Sequence, residues 1–191
     1  GGVIPAAALL DWDGGGDGQK WGDAANWAND QLPGDSDNVL IDLAANVTVR
    51  HTDGATTVGR LLSREVLTIA GGSLTVGGPT RVEQDLTLNP GTTLTADGAN
   101  ASFVALGTSV IDGANLLAVS GGRLAFPTLT SYRGPTGSHG AIRASGSQSV
   151  IDLSGLTSFA GAIGTQCCTE ASVLFVEALA GGRLMLGAVD A

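Results

Sequence analysis

Asp11, Asp13 and Asp17 place three carboxylates on the glycine-rich stretch Asp11-Trp-Asp-Gly-Gly-Gly-Asp17-Gly18. Carboxylate oxygens on a pliable loop are the ligands a hard cation such as Ca²⁺ takes. The spacing is not that of an EF-hand: counted from Asp11, the fifth position is Gly15 and the twelfth is Gly22, so the bidentate Glu is missing. Residues 1 to 46 carry eight acidic side chains against the single basic Lys20, which favours a cation, while solvated Asp side chains on a metal-free turn give the same pattern. A second group lies late in the chain. Cys167 and Cys168 are adjacent and stand near Glu170. A bridge between them would make a rigid, partly apolar knob for a sugar or protein; two idle thiols or an intermolecular bridge are the plainer alternatives. With Arg133 and His139 from a similar earlier segment, these residues form the candidate ligand-binding set. Asp11, Asp13 and Asp17 form the candidate metal set.

Nucleophilic catalysis is not indicated. His51 and His139 are isolated in the sequence, and neither a Ser, His, Asp order nor a Cys, His pairing is present. Arg123, Arg143 and Asp152, with Arg133 and Glu170, would suit a polysaccharide lyase or glycoside hydrolase if one outward groove gathered them. Charges at outward strand positions are more often a solvated face, so no catalytic residue is assigned. Trp12, Trp21 and Trp27 are all the tryptophans of the chain. They would serve either as a sugar-stacking platform or, as the stronger reading, as a plug for the end of a core.

These groups need a scaffold, and the scaffold shows as self-similarity. Leu67-Thr-Ile-Ala-Gly-Gly-Ser-Leu-Thr-Val76 reads as two alternating strands around a Gly-Gly turn, and Leu117 to Phe126 and Glu177 to Leu186 align with it without gaps. Leu86 to Ala96 and Ile142 to Asp152 carry one extra turn residue. The starts, at 67, 86, 117, 142 and 177, are unevenly spaced. A solenoid coil tolerates that unevenness because its loops vary while its strands stay in register. The expectation is an all-β chain, a right-handed single-stranded parallel β-helix, with inward ladders Leu67/Leu86/Leu117 and Leu74/Leu94/Leu124/Leu184 and with Thr68, Thr75, Thr87 and Thr95 facing out.

Phe126 to Tyr132 and Leu153 to Phe159 are a second repeated element, predicting a further strand in each coil. The segments that follow, 133-141 and 160-172, should then bulge from one side of neighbouring coils as stacked loops. Residues 1-60 read as an N-terminal cap and 61-191 as coils of one continuous domain, a fragment of a longer chain or one whose last coil pairs with something. That leaves a homo-oligomer through the C-terminal end as an expectation.

Thirty glycines against six prolines, with 43% hydrophobic residues, describe a turn-rich chain that folds. The net charge of -9 opposes nucleic acid and anionic membrane surfaces. The apolar opening Ile4 to Leu10 is far short of the ~20 residues that cross a bilayer.

Trp12-Asp13-Gly14, Trp21, Asn26-Trp27, Leu32-Pro33-Gly34, Asp37 and the strand Val39-Leu-Ile41 resemble the opening of large secreted bacterial repeat proteins, autotransporter-passenger-like and adhesin-like β-helices. The resemblance covers about the first 76 residues and continues only as coil pattern. It implies a secreted or cell-surface bacterial location and an adhesive or matrix role, and no particular enzyme. The expected function is a non-enzymatic extracellular module contacting a glycan, surface or protein partner through loops 133-141 and 160-172. A polysaccharide-active β-helix enzyme and a self-associating surface-fibre component are the alternatives.

Overall fold

The computed structural model describes residues 9 to 162 and 172 to 188. Short alternating segments form short strands, because each has one apolar face to bury and a turn on either side. Strand β1 (Leu9–Asp11) precedes two 3-10 turns and then a series of three-strand coils. The first coil is β2 (Asn38–Ile41), β3 (Thr48–His51) and β4 (Ala55–Val58), and the second is β5 (Arg60–Ser63), β6 (Val66–Ile69) and β7 (Ser73–Val76). The third comprises β8 (Pro79–Val82), β9 (Leu86–Leu88) and β10 (Thr93–Asp97); the fourth, β11 (Ser102–Ala105), β12 (Ser109–Val110) and β13 (Asn115–Val119). The fifth is β14 (Arg123–Ala125), β15 (Ser131–Arg133) and β16 (Gly140–Ser145), the sixth β17 (Val150–Leu153), β18 (Ser158–Ala160) and β19 (Leu174–Leu179), and β20 (Arg183–Leu186) opens a seventh.

Every strand pairs in parallel with its counterpart one coil away, so the chain is a parallel β-helix. The first sheet runs β1-β2-β5-β8-β11-β14-β17-β20, the second β3-β6-β9-β12, and the third β4-β7-β10-β13-β16-β19. Beyond β12 the second side continues as the separate pair β15-β18. Asn38 pairs with Arg60, Ser102 with Arg123, Arg123 with Val150 and Val150 with Arg183, so the coils lengthen toward the C-terminus while the register holds. The added length lies between β15 and β16 and between β18 and β19. The regular coil thus begins at Asn38, inside the segment 1-60 read from sequence as cap.

Like side chains stack along the interior. In the first sheet the ladder is Leu10, Val39, Leu61, Thr80, Phe103, Leu124, Ile151 and Leu184. In the third it is Leu74, Leu94, Leu116, Ile142 and Val176. In the second, Leu67 stacks on Leu86. A fully buried Leu or Ile contributes about 1.5–3 kcal/mol, so a dry column of this kind supplies the main drive to stack.

Two of the expected ladders require correction. Leu117 does not continue Leu67/Leu86: it lies outward on the third sheet, between Thr95 and Arg143. Leu124 and Leu184 do not continue Leu74/Leu94: they belong to the first sheet. The cause is that a coil has more than one sharp corner. Residues 67–76 and 86–96 join the second sheet to the third, whereas 117–126, 142–152 and 177–186 join the third to the first. The same glycine-turn chemistry serves both corners, so aligning the turns stepped across part of a coil. Thr75 pairs with Thr95 and Thr68 with Thr87 along their ladders, but Thr68, expected to face out, is buried.

Ahead of the coil, residues 9–37 cover its end. β1 extends the first sheet, and Lys20 bridges Arg50 at the second, with the Trp21 N–H donating to the Arg50 carbonyl at 2.8 Å. Trp12, Trp21 and Trp27 are buried, with Trp27 edge-on to both others at 4.8 Å between ring centroids. The Trp27 indole N–H donates to the Trp21 carbonyl at 2.7 Å. Burial of all three rings rules out the exposed sugar platform and leaves the plug. Just beyond it, the buried Glu65 carboxylate accepts the backbone N–H groups of Leu43 (3.2 Å) and Val47 (3.0 Å) and pins the β2–β3 connection. No helix among the described residues is long and apolar enough to cross a membrane.

Candidate functional site

The repeat Phe126 to Tyr132 and Leu153 to Phe159 yields β15 and β18, paired with Tyr132 opposite Phe159. Their rings stack at 5.5 Å and 21°. Tyr132 is buried and its hydroxyl donates to the Ala114 carbonyl at 3.1 Å. Burial first, and the nearby Asp112 carboxylate second, push its pKa up to about 12, so the hydroxyl stays protonated and the bond persists.

The ends of segments 133-141 and 160-172 meet beside this stacked pair; residues 163-171 lie outside the described residues. The Gly134 N–H donates to the Ala160 carbonyl at 2.9 Å where they depart, and the Gly140 N–H donates to the Val173 carbonyl at 2.9 Å where they return. The ends of both segments are thereby anchored on neighbouring coils. Arg133 is exposed at the root; its N–H donates to the Asp112 carboxylate at 2.8 Å and its carbonyl accepts from Gly113 at 2.8 Å. His139 is exposed at the return, where its Nδ1 accepts the Val173 N–H at 3.2 Å and its ring lies 6.3 Å from that of Phe175. The structure therefore brings Arg133 and His139 to opposite ends of one short loop. Cys167, Cys168 and Glu170 lie outside the described residues.

Two of the cap carboxylates accept hydrogen bonds within their own loop. Asp13 Oδ1 accepts the Gly15 N–H at 2.9 Å, and Asp17 Oδ1 accepts those of Gln19 (2.9 Å) and Lys20 (2.8 Å) as well as the Asn26 amide (3.0 Å). The Lys20 and Gln19 backbone groups and the Asn26 side chain hold Asp17 far below the ordinary carboxylate range, so it is ionised at any physiological pH. The fully buried Asn26 organises this loop: its Oδ1 accepts Gly16 and Gly18, and its Nδ2 also reaches the Lys20 carbonyl. Asp11 sits apart on β1. Among the described residues, no three His, Cys, Asp or Glu side chains lie close enough to share a metal ion.

No family model, curated protein or solved structure matches this chain. Arg123, Asp152 and Arg143, candidates for a polysaccharide-cleaving groove, are divided between two faces. Arg123 and Asp152 are outward on neighbouring strands of the first sheet, whereas Arg143 is outward on the third, where its Nε donates to Glu177 at 2.6 Å.

Sequence reasoning missed Asp112, Asn26 and Glu65, each of which accepts or donates hydrogen bonds across loops. Asp112 and Glu65 bond residues about a coil away, and Asn26, marked in the sequence only as the neighbour of Trp27, bonds Gly16, Asp17, Gly18 and Lys20 within the cap loop. Tyr132 was visible only as a position matched by Phe159.

Proposed function

We propose that this chain is a non-enzymatic structural or adhesive module of the cell exterior, a stiff β-helix that presents loops 133-141 and 160-172 to a glycan, a surface or a protein. The observation that carries the reading is that both loops are rooted on adjacent coils over the Tyr132–Phe159 stack. A rigid base lowers the entropy a contact must overcome, so a loop held at both ends suits recognition. The placement of Arg123 and Asp152 on one sheet and Arg143 on another favours this reading over cleavage by those three residues.

The test is binding of the labelled chain to intact cells and to a glycan array, run beside a turnover assay for reducing ends and unsaturated products. The expected result is retained binding without turnover, weakened roughly tenfold or more in an Arg133→Ala/His139→Ala variant, since centrally placed contacts each contribute upward of about 1 kcal/mol. Turnover on any polysaccharide, or equal binding by the double variant, would overturn the proposal.

A second reading, self-association, rests on the last described coil. Phe175, Val176, Leu179 and Leu186 are 44%, 38%, 43% and 39% exposed, although Val176 continues the inward ladder of Ile142. Strand edges with uncovered apolar rungs pair readily with another chain. Sedimentation velocity over a concentration series is expected to show a dimer that Val176→Lys abolishes. A single monomeric species at every concentration would remove this reading.

A further inference from the structure

We infer that the outer face of the first sheet binds an acidic saccharide unit at Arg60, a site separate from the corner loops. The sign of the ligand follows from where the cations lie. The chain has nine Lys and Arg residues and a net charge of -9. Five of the nine, Arg60, Arg64, Arg81, Arg123 and Arg183, stand on this one face or its rim. Arg64 and Arg81 meet Asp42 and Glu83. Arg60 is exposed and has no carboxylate within ion-pair distance among the described residues.

Arg60 stands between two recesses that share it with Asn38 and Pro79. One, about 470 Å³, is floored by Leu40 and Leu62 and bounded by Leu9 and Arg81. The other, about 590 Å³, lies at the neighbouring corner and offers Asp35, Ser36 and Asn100 beside bare backbone. At two of its three glycines no side chain fits. A Cβ on Gly59 would stand 2.7 Å from the Ser36 carbonyl oxygen, and one on Gly78 would stand 2.6 Å from that of Gly59. Stacked glycines keep the corner open to a closely approaching ligand.

A guanidinium, a hydroxyl-seeking polar trough and an apolar floor together describe a uronic acid. Its carboxylate takes two parallel N–H donors from Arg60. Its hydroxyls fall toward Asp35, Ser36 and Asn100, and its C–H face covers Pro79 and the two leucines. A neutral sugar leaves the guanidinium without its anion, and an acidic peptide has no ring of hydroxyls for the trough.

The experiment is calorimetric titration of the full chain with trigalacturonate, with maltotriose as the neutral probe and a tri-glutamate peptide as the non-sugar anion. Trigalacturonate is expected to bind and maltotriose and tri-glutamate to bind at least tenfold more weakly. Arg60→Gln, a change at an exposed position, is expected to weaken trigalacturonate at least tenfold, as loss of charge-assisted hydrogen bonds does. Asn100→Leu is expected to weaken it several-fold, and Arg143→Gln, on the third sheet, to leave it unchanged. Undetectable binding at millimolar trigalacturonate, equal affinity in Arg60→Gln, or tri-glutamate or maltotriose bound as tightly as trigalacturonate would overturn the inference. None of these measurements uses the 133-141 or 160-172 loops, so failure here and failure of the adhesive reading are separate results.

Discussion

Trp27→Ala is expected to destabilise the chain by about 3–5 kcal/mol, the range for removing a large buried aromatic side chain. The indole is wholly buried, packs edge-on against both Trp12 and Trp21, and donates its N–H to the Trp21 carbonyl. Three things fail together: the ring's volume, its two aromatic contacts and a buried hydrogen bond. Trp27→Phe separates them, because it keeps most of the ring and leaves the Trp21 carbonyl unpaired at a cost of about 1–3 kcal/mol. Urea denaturation followed by circular dichroism measures both. Loss of the plug also bares the edges of β2 and β3, so Trp27→Ala is expected to sediment as larger species than the parent chain. A change in stability under about 1 kcal/mol would mean that the tryptophans do not hold the end of the coil together.

The other large effect is expected at Gly72. Here φ is +71°, and a Cβ would land on the Gly54 carbonyl oxygen at the same corner one coil earlier. That oxygen also accepts the Ser73 N–H at 2.9 Å. Gly72→Ala therefore combines a left-handed residue with a backbone collision and a threatened hydrogen bond, and is expected to cost about 3 kcal/mol or more. Gly91→Ala supplies the comparison. Its φ is +81°, but nothing lies within 4 Å of the added carbon. Conformational strain alone predicts about 1 kcal/mol there. Comparing the two denaturation midpoints isolates the effect of coil-on-coil contact. Equal losses would show that the corners do not stack as closely as described.

Gly72 also explains how the sequence could mislead about register. Gly71-Gly72, Gly121-Gly122 and Gly181-Gly182 are alike because each turns the chain sharply. Yet the first joins the second sheet to the third, and the other two join the third to the first. Turn chemistry is local and says how the backbone bends, not which corner of the coil bends. The true partners, Leu94 with Leu116 and Phe103 with Leu124, follow from a register that spans whole coils. The repeat ending in Tyr132 and Phe159 was read correctly because two successive coils carry it at the same corner.

The candidate sites divide along the same line. The roots of the corner loops were legible, since a repeated strand fixes where the chain leaves it. The separation of Arg143 from Arg123 was not, because each is simply an outward residue until the sheets are assigned. Likewise, Asp13 and Asp17 look like free carboxylates in the sequence; Asn26 and backbone N–H groups claim them only once the cap has folded.

By itself the sequence determined the parallel β-helix, the plugged N-terminal end and the place of the looped corner, because alternation and turn residues act over a few neighbours and repeat. Only the tertiary structure decided which side chains share a face, and with it the Arg60 recess and the employment of the acidic groups. Those pairings join residues about a coil or more apart, and their energies depend on distances that no short stretch of chain contains.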